Sequence, residues 1–450
     1  MTDWTDSTLT TWGRSRYARS AVIAPDSEAG LLEAVRGSHA RGAITYGGGR
    51  CYGDAALDDG GQTILTRNLN RILSFDSVSG ETVCEAGVDF AALLKRFLPE
   101  GFCFPVSAAT ASVTVGGAFA NDIHSKNHCA VGSFGHHVQW IDLMLASGDV
   151  VRASRNENAD IFQASLGGIG LTGTVLRVCF RMLRVPSGAA DATYQRIANV
   201  DDMFDTIEAA RSTHDFIFGW VDAMARGDKM GRGVLELGRY APDEDAVAPP
   251  PPIKPIRIQP PSAFLHPIVL KAITNRRFNA VPPEGQSARV GLGPFFFALD
   301  SMPGFNRIYG RRGFYSIHTG FPRETQRDGI RKVMEALTAV RAGSFAAVIK
   351  PMRGPGDGLL SFPMDGMAYA IDLPRRSGVE ELHRNIERIV LDHGGRLYVA
   401  KDALMQADSF AQMFPKLDAF REILAKIDPD ARFQSDMSRR LKIHPEAARH

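Results

Sequence analysis

Short apolar runs separated by polar turns fill the first 186 residues and predict small strands and helices in succession. Asp26 and Ser27 precede a run in which Leu31, Leu32 and Val35 fall on one face, which predicts a capped helix ending near Gly42. The runs AITY (43–46), TILT (63–66) and ETVCEAG (81–87) read as strands, and DFAALLKRFL (89–98) as a helix. From Val138, QWIDLMLA leads through Ser147, Gly148 and Asp149 into DVVRAS, the pattern of a hairpin.

The stretch GGIGLTGTVLRVCF (167–180) places Gly168, Gly170 and Gly173 at the spacing G-x-G-x-x-G. In a nicotinamide-binding fold that motif opens a helix whose N-terminus holds a pyrophosphate. Here Leu176, Val178, Phe180 and Met182 alternate with Arg177, Cys179 and Arg181, a period of two that predicts a strand with one buried face. Asp191 stands at about the right distance for a ribose contact, but beyond the Pro186 break. The glycines therefore read as a tight turn feeding a strand.

After Pro186 the composition shifts, and 187–395 carries its own helix and strand signals. Within it, APPPPIKPIRIQPPSAFLHPIVLKAITNRRF (248–278) is too rich in proline for regular structure through residue 261. Two readings stand: an exposed linker before an ordinary helix, or a flexible lid, centred on 248–262, whose Lys271, Arg276 and Arg277 meet a lipid surface or lipid-like substrate.

Composition narrows the classes. With 44% hydrophobic and 23% charged residues the chain has a real core. A net charge of +2 gives no electrostatic case for nucleic acid. The five cysteines (Cys51, Cys84, Cys103, Cys129, Cys179) form no C-x-x-C pair, so reduced thiols are expected and a metal site is not. The first 20 residues lack an apolar segment behind a basic start, and no run has the roughly 18 apolar residues of a membrane span. A cytoplasmic protein is expected, with peripheral membrane contact left open.

Three other glycine-rich stretches, YGGGRCYGD (46–54), VTVGGAFANDIHSKNH (113–128) and GSFG (132–135), supply runs of amides able to form concave anion sites. In this order they can wrap a long polyphosphate ligand. Together with the WGR at 12–14, DIHSKNHCAVGSFGHHV (122–138), FNRIYGRRGF (305–314), LLSFPMDG (359–366), GGRLYVAKD (394–402) and SDMSRRL (435–441), they resemble flavoproteins of the vanillyl-alcohol oxidase and p-cresol methylhydroxylase superfamily. Within it they are similar to the branch that oxidises polyprenyl-phosphoryl ribose. The resemblance covers nearly the whole chain, strongly in 43–186 and 394–441 and loosely between about 187 and 300.

The resemblance implies an α+β fold in which 1–186 and 396–450 build a two-part FAD-binding domain of the p-cresol methylhydroxylase (PCMH) type. An antiparallel-sheet substrate domain, 187–395, would be inserted over the isoalloxazine. The pyrophosphate loop would be Gly48, Gly49, Arg50, Cys51, Tyr52, Gly53 and Asp54. The flavin-side loop would be Thr114, Val115, Gly116, Gly117, Asn121, Asp122, Ile123 and His124, with Val175 at the adenine and Tyr398 returning from the C-terminal segment. Because 46–54 contains no histidine, covalent attachment there is excluded and FAD is expected to be held non-covalently.

For catalysis the resemblance implies Lys401, reaching toward flavin and substrate, with Lys350 as a pocket cation for a substrate phosphate. Lys126 and Arg353 are further cations for that phosphate. Tyr52, Tyr309 and His318 are placed to hold or deprotonate the hydroxyl, and an imidazole titrating near roughly 6.5 suits the base role of His124 or His318 better than a tyrosine near about 10. Which residue is the base stays open. The alternative readings are that His124 and Lys126 solvate a loop and that Lys401 is a surface lysine closing a strand.

The chain also departs from its likeness. The relatives' WNICVDFP is MAYAIDLP here (367–374), with Ala370 in place of a cysteine and Ala368 in place of an asparagine. Their QYQF is SIHT (316–319). The expected activity is FAD-dependent oxidation of C2′ in a polyprenyl-phosphoryl ribose to a keto sugar. A short-chain reductase partner would then complete epimerisation to the arabinose donor of cell-wall arabinan. Alternatives are a sugar or aldonolactone oxidase using O2 on the same fold, and a flavin-less lipid-phosphate binding protein.

Overall fold

A computed structural model describes residues 4–38, 41–243, 255–256, 259–260 and 262–444. The helix expected after Ser27 is Glu28–Arg36, capped by the Ser27 side chain accepting from the Gly30 amide and burying Leu31 and Val35. It stops at Gly37 instead of near Gly42, because the Gly37 amide bonds back to the Glu33 carbonyl and closes the last turn. Gly42, at a left-handed φ of 103°, turns the chain into the strand Ala43–Tyr46.

Ala43–Tyr46 and Gln62–Leu65 run parallel in a four-stranded sheet completed by Tyr17–Ile23 and Thr5–Thr10. The last two were not legible as strands. In Tyr17–Ile23 the buried positions Ala18, Ser20 and Val22 are small or polar, so the alternation exists in burial but hardly in hydropathy.

A second, antiparallel sheet has the order Ile72–Phe75, Glu81–Glu85, Thr174–Arg181, Val138–Met144, Val150–Ser154. The glycine fingerprint thus feeds the central strand and opens no helix. Cys179, assigned by alternation to the open side, is fully buried along with Val178, since a central strand is covered on both faces. The helix Phe90–Phe97, capped by Asp89, lays Phe90, Leu93 and Phe97 into the core of this half.

The third sheet has eight strands, in the order Gln286–Gly291, Ala189–Ile197, Gly233–Tyr240, Phe216–Val221, Ala347–Met352, Gly366–Pro374, Phe314–Pro322, Arg396–Leu397, all antiparallel. Strand alternation gives it two different faces. Ile317, Ile349, Tyr369 and Ile371 join Met203, Ile207, Ile330, Val333, Ile386 and Val390 of the helices Val200–Ala210, Gln326–Ala339 and Val379–Asp392 in one core. At roughly 1.5–3 kcal/mol for each large buried side chain, that core fixes the strand register. The opposite face receives the residues in between, among them His318, Lys350 and Ala370.

Of the proline-rich stretch, 248–254, 257–258 and 261 lie outside the described residues, so the lid reading of 248–262 is not addressed by them. The helix Pro267–Asn279 follows, with Pro267 in its first turn. Among the described residues no helix is long and apolar enough to cross a membrane.

Candidate functional site

Loops from both ends of the chain close on one groove. Its lining includes Gly48–Tyr52, Thr114, Gly116, Gly117, Asn121, Ile123, His124, Val175, His318, Lys350, Tyr398 and Lys401. Residues separated by more than 300 positions in sequence therefore share one concave surface.

The first loop lies directly on the second. A Cβ at Gly48 would sit 2.3 Å from the Ser112 carbonyl oxygen, so only glycine lets the two backbones meet. Arg67 donates from Nη2 to the Gly48 carbonyl at 2.9 Å, and the Cys51 carbonyl accepts from the Trp12 amide at 2.8 Å. In the second loop Thr114 caps the short helix Val115–Ala120 by accepting from the Gly117 amide. Asn121 closes it, donating to the Gly117 carbonyl at 2.8 Å.

The C-terminal segment clasps both loops. The Tyr52 amide donates to the Ala400 carbonyl at 2.9 Å, and Tyr398 Oη donates to the Asn121 carbonyl at 2.8 Å. A Cβ at Gly53 would fall 1.7 Å from the Asp402 carbonyl oxygen. Arg440 bridges Asp54 at 2.7 Å and Asp402 at 3.0 Å. His383 sits beneath, with Nδ1 2.8 Å from Glu387 and Nε2 3.4 Å from Asp402. Burial opposes its protonation, but the Asp402 and Glu387 carboxylates win and lift it to about 9. The imidazolium and Arg440 hold Asp402 well below the usual carboxylate range against its own burial. Sequence reading did not single out Arg440, Asp402 or His383 as a clasp; an Asp following the groove lysine and a double arginine in SDMSRRL were the available signals.

The sheet supplies the other end. His318 is in register with Ala370, and Ala370 with Val348; Gly320 is in register with Ala368, and Ala368 with Lys350. The small residues of the middle strand therefore separate Lys350 from His318 and leave a floor without bulk between them. The Tyr398 amide donates to the His318 carbonyl at 2.9 Å, which sets Tyr398 and Lys401 beside that strand. His124 and His318 approach Nε2 to Nε2 at 3.3 Å and are almost perpendicular. Phe362 and Tyr398 box both rings, at centroid distances of 5.0–5.5 Å.

Charge in this box is only partly compensated, by Asp372 acting on Lys401. The Lys350 side chain has no hydrogen bond or ion partner among the described residues, and Lys401 meets the Tyr52 ring at 4.7 Å. Burial, then the neighbouring Lys401, brings Lys350 down to about 7. Burial lowers Lys401 as well, partly offset by Asp372. Burial and the nearby lysines hold both imidazoles well below their ordinary value. Asp372 is pushed up by burial to about 6, and Tyr52 goes well above the ordinary tyrosine value by burial and then by Asp372. Asp372 was missed at the sequence level. An acid inside the apolar run MAYAIDLP was its signal.

Several expected residues lie behind the lining. Val115 is fully buried in the helix, and Asp122 accepts from Ser361 Oγ at 2.7 Å and the Gly135 amide at 3.0 Å, bracing the loop. Gly53 and Asp54 serve the clasp. Tyr309 is stacked between Phe314 and Phe345, behind the groove. Ala370 is part of the floor described above. Lys126 is not brought to the groove; it pairs with Glu236 at 2.5 Å and caps the Phe295 carbonyl at 2.8 Å. Neither His124 nor Lys126 is a solvated loop residue, at 7% and 8% exposure, and Lys401 lines the groove instead of closing a surface strand. Arg353 is tied to the backbone, donating to the Ala130 carbonyl.

These features suit an extended, doubly charged ligand with a flat redox end. The backbone cradle fits a pyrophosphate, and Arg50, a groove residue whose buried Nε has no partner among the described residues, fits an anion. Lys401 and the partnerless Lys350 fit the electron-accepting end of an isoalloxazine and a further anion. A model of the FAD binding domain matches residues 19–154, and a model of D-arabinono-1,4-lactone oxidase matches 367–441. Decaprenylphosphoryl-beta-D-ribose oxidase of Mycolicibacterium smegmatis is 32% identical, aligned over 98% of both chains. L-gulono-1,4-lactone dehydrogenase of Mycobacterium tuberculosis is 21% identical over 95% of this chain and 97% of its own. Mouse L-gulonolactone oxidase is 31% identical over 29% of this chain and 30% of its own.

Proposed function

Because this chain belongs to the family of FAD-dependent oxidoreductases that includes decaprenylphosphoryl-beta-D-ribose oxidase, we propose that it oxidises C2′ of a polyprenyl-phosphoryl ribose to the keto sugar. Its cofactor is FAD and its substrates carry CH–OH groups. The observation that carries the finer reading is Lys350, a groove-lining cation whose side chain has no partner among the described residues, with one strand between its own and that of His318.

When bound, FAD supplies the two-electron acceptor for the alcohol. Gly48, Gly49 and the amides of the first two loops cradle its pyrophosphate, and Arg50 adds charge. Val175 bounds the far end, while Tyr398 bounds the reactive one. Lys401 places positive charge where negative charge develops during oxidation. Lys350 takes the phosphate of the substrate, and Ala368 and Ala370 leave room for its pentose. His124, His318 and Tyr52 surround the hydroxyl, and Phe362 and Tyr398 exclude water from it. Holding FAD non-covalently follows from a loop at 46–54 that offers no histidine. Product passes to a separate short-chain reductase, and a lipid-linked substrate brings the protein to a membrane surface from the cytoplasmic side.

A second reading, oxidation of a soluble aldonolactone or sugar, is favoured by the match of 367–441 to D-arabinono-1,4-lactone oxidase. Anaerobic titration separates the two. Bleaching of bound FAD by polyprenyl-phosphoryl ribose, with no response to free lactones or sugars, supports the first reading; the reverse pattern supports the second. Denaturation releases FAD into solution if attachment is non-covalent.

A further inference from the structure

We propose that residues 299–306 form a strap across the mouth of the groove, fastened by Asp300, and that FAD enters and leaves only when this fastening opens. The inference rests on FAD as the cofactor and not on which alcohol is oxidised.

The segment follows the edge strand Gln286–Gly291 and the short helix Leu292–Phe296, and it is tied to both lips of the groove. On one lip the Leu299 amide donates to the Ala109 carbonyl at 3.0 Å. Asp300 then accepts twice, from Thr110 Oγ1 at 2.6 Å and from the Ala111 amide at 2.6 Å. On the other lip Asn306 Nδ2 donates to the Trp12 carbonyl at 3.0 Å. Ala109, Thr110 and Trp12 all line the groove, and so does Leu299. Leu299 also packs against the cluster of Trp12, Tyr52, Tyr309 and Phe314, so a residue fastened at Ala109 reaches the opposite lip.

The strap crosses at the pyrophosphate cradle. Arg50 lies over the ring of Trp12, the lip residue, at 5.4 Å. Burial and then Arg67 disfavour the Arg50 cation, while Tyr46 and Asp300 favour it, so the carboxylate of the strap acts on the cation of the cradle. An extended ligand bounded by Val175 at one end and by Tyr398 at the other has no lengthwise exit. Its way out is sideways, through the mouth that the strap crosses.

The roots of the strap are packed and its crest is not. Before it, Phe296 and Phe297 meet the Phe104 ring at centroid distances of 5.5 and 5.8 Å. After it, Tyr309 stacks on Phe314 and Phe345. Between these anchors Ser301, Met302 and Pro303 are exposed, as is Asp300 itself. The crest is held from outside by a single backbone bond, the Ile256 amide donating to the Pro303 carbonyl at 2.7 Å. Opening therefore breaks a few surface hydrogen bonds and one leucine contact and leaves the core intact, the pattern of a segment that opens locally. The two bonds to the Asp300 carboxylate are charge-assisted and the strongest of the set, which makes Asp300 the fastening.

The test compares FAD-loaded wild type with Asp300→Ala, Asp300→Asn and Asn306→Ala. Exchange of bound FAD for excess 8-chloro-FAD is followed by absorbance, beside the rate at which each apoprotein takes up FAD. Asp300→Ala should exchange FAD about 10–100-fold faster and also take it up faster, because an open mouth speeds passage in both directions. Asp300→Asn, which keeps one acceptor oxygen, and Asn306→Ala, which frees the other lip, should fall between it and wild type. A residue that only touches FAD would speed release and leave uptake unchanged, and one that only stabilises the fold would lower the unfolding temperature and leave uptake unchanged. Either pattern, or exchange at the wild-type rate in all three variants, overturns the strap. A change confined to the Kd of the alcohol would make 299–306 a gate for substrate and overturns it as well. The functional reading fails separately, by wild-type FAD that no alcohol bleaches, and FAD exchange still decides whether the strap exists.

Discussion

At the loop end of the groove the lining is mostly backbone: Gly48 and Gly49, the turn through Gly170 and Gly173, the first turn of Val115–Ala120. At the sheet end it is side chains: His124, His318, Lys350, Lys401 and Tyr398, with the Phe362 ring packed behind them. The first end recognises a ligand by shape and amide dipoles, with little exposed charge of its own. The second gathers two lysines that face each other without a carboxylate bridge, a costly arrangement that has a use only when an anion or developing negative charge arrives. One end holds the cofactor and the other acts on the substrate, and substitutions should separate the two.

The most far-reaching effect expected is at the loop end, where the cofactor itself is lost. Gly48→Val drives a side chain into the Ser112 carbonyl and should leave the purified protein nearly free of flavin, a fall of about 100-fold read from absorbance near roughly 450 nm. Full yellow colour would show that the two loops do not form the cradle. Next, Lys401→Met should keep FAD and slow its anaerobic reduction by about 10²–10³-fold. Loss of FAD in place of loss of rate would assign Lys401 to the wrong end.

Lys350→Met should weaken a phosphate-bearing alcohol by about 10–100-fold in Kd and barely change a neutral one. Since Lys350 titrates near about 7, a phosphate ligand binding at pH 8 should draw in a proton, visible as a calorimetric heat that varies with buffer ionisation enthalpy. Equal losses for charged and neutral alcohols would favour the aldonolactone reading.

The last effect concerns the clasp and is read in stability, not in ligand or rate. His383 is raised from roughly 6.5 to about 9, so its contribution, on the order of 3 kcal/mol, is complete below about 6.5 and disappears as pH rises through about 9. Lys350, shifted downward, works in the opposite sense over pH 7 to 10, which is why the wild-type curve alone is not diagnostic. The difference in unfolding free energy between wild type and His383→Gln should be largest near pH 6 and vanish near pH 10. A difference constant across that range would remove the imidazolium from the clasp.

The same contrast explains what the sequence disclosed. Backbone sites are written in glycine, because Gly48 or Gly173 has no substitute where two chains nearly touch, so the loops at 46–54, 113–128 and 167–175 were legible with their order. The strand after Gly173 was legible from its period of two. The reactive box was harder. Lys350 and His318 meet through strand register, Ala347–Met352 pairing with Gly366–Pro374 and that with Phe314–Pro322, and register is not local information. Asp372 and Phe362 looked like ordinary strand and loop residues. Lys126 misled because DIHSKNH placed it beside His124, while the fold turns its ammonium to Glu236. The helix after Ser27 was carried too far for a simpler reason: Gly37 ends it before Gly42 can.

Determining the structure of the FAD-loaded protein tests the central claim most directly. The account predicts the pyrophosphate on Gly48–Tyr52 and the second loop, the adenine beside Val175, and the isoalloxazine between Tyr398, Lys401 and the His124–His318 pair. An isoalloxazine lying away from Lys401 and His318, or a cofactor touching only one of the loops, would contradict it.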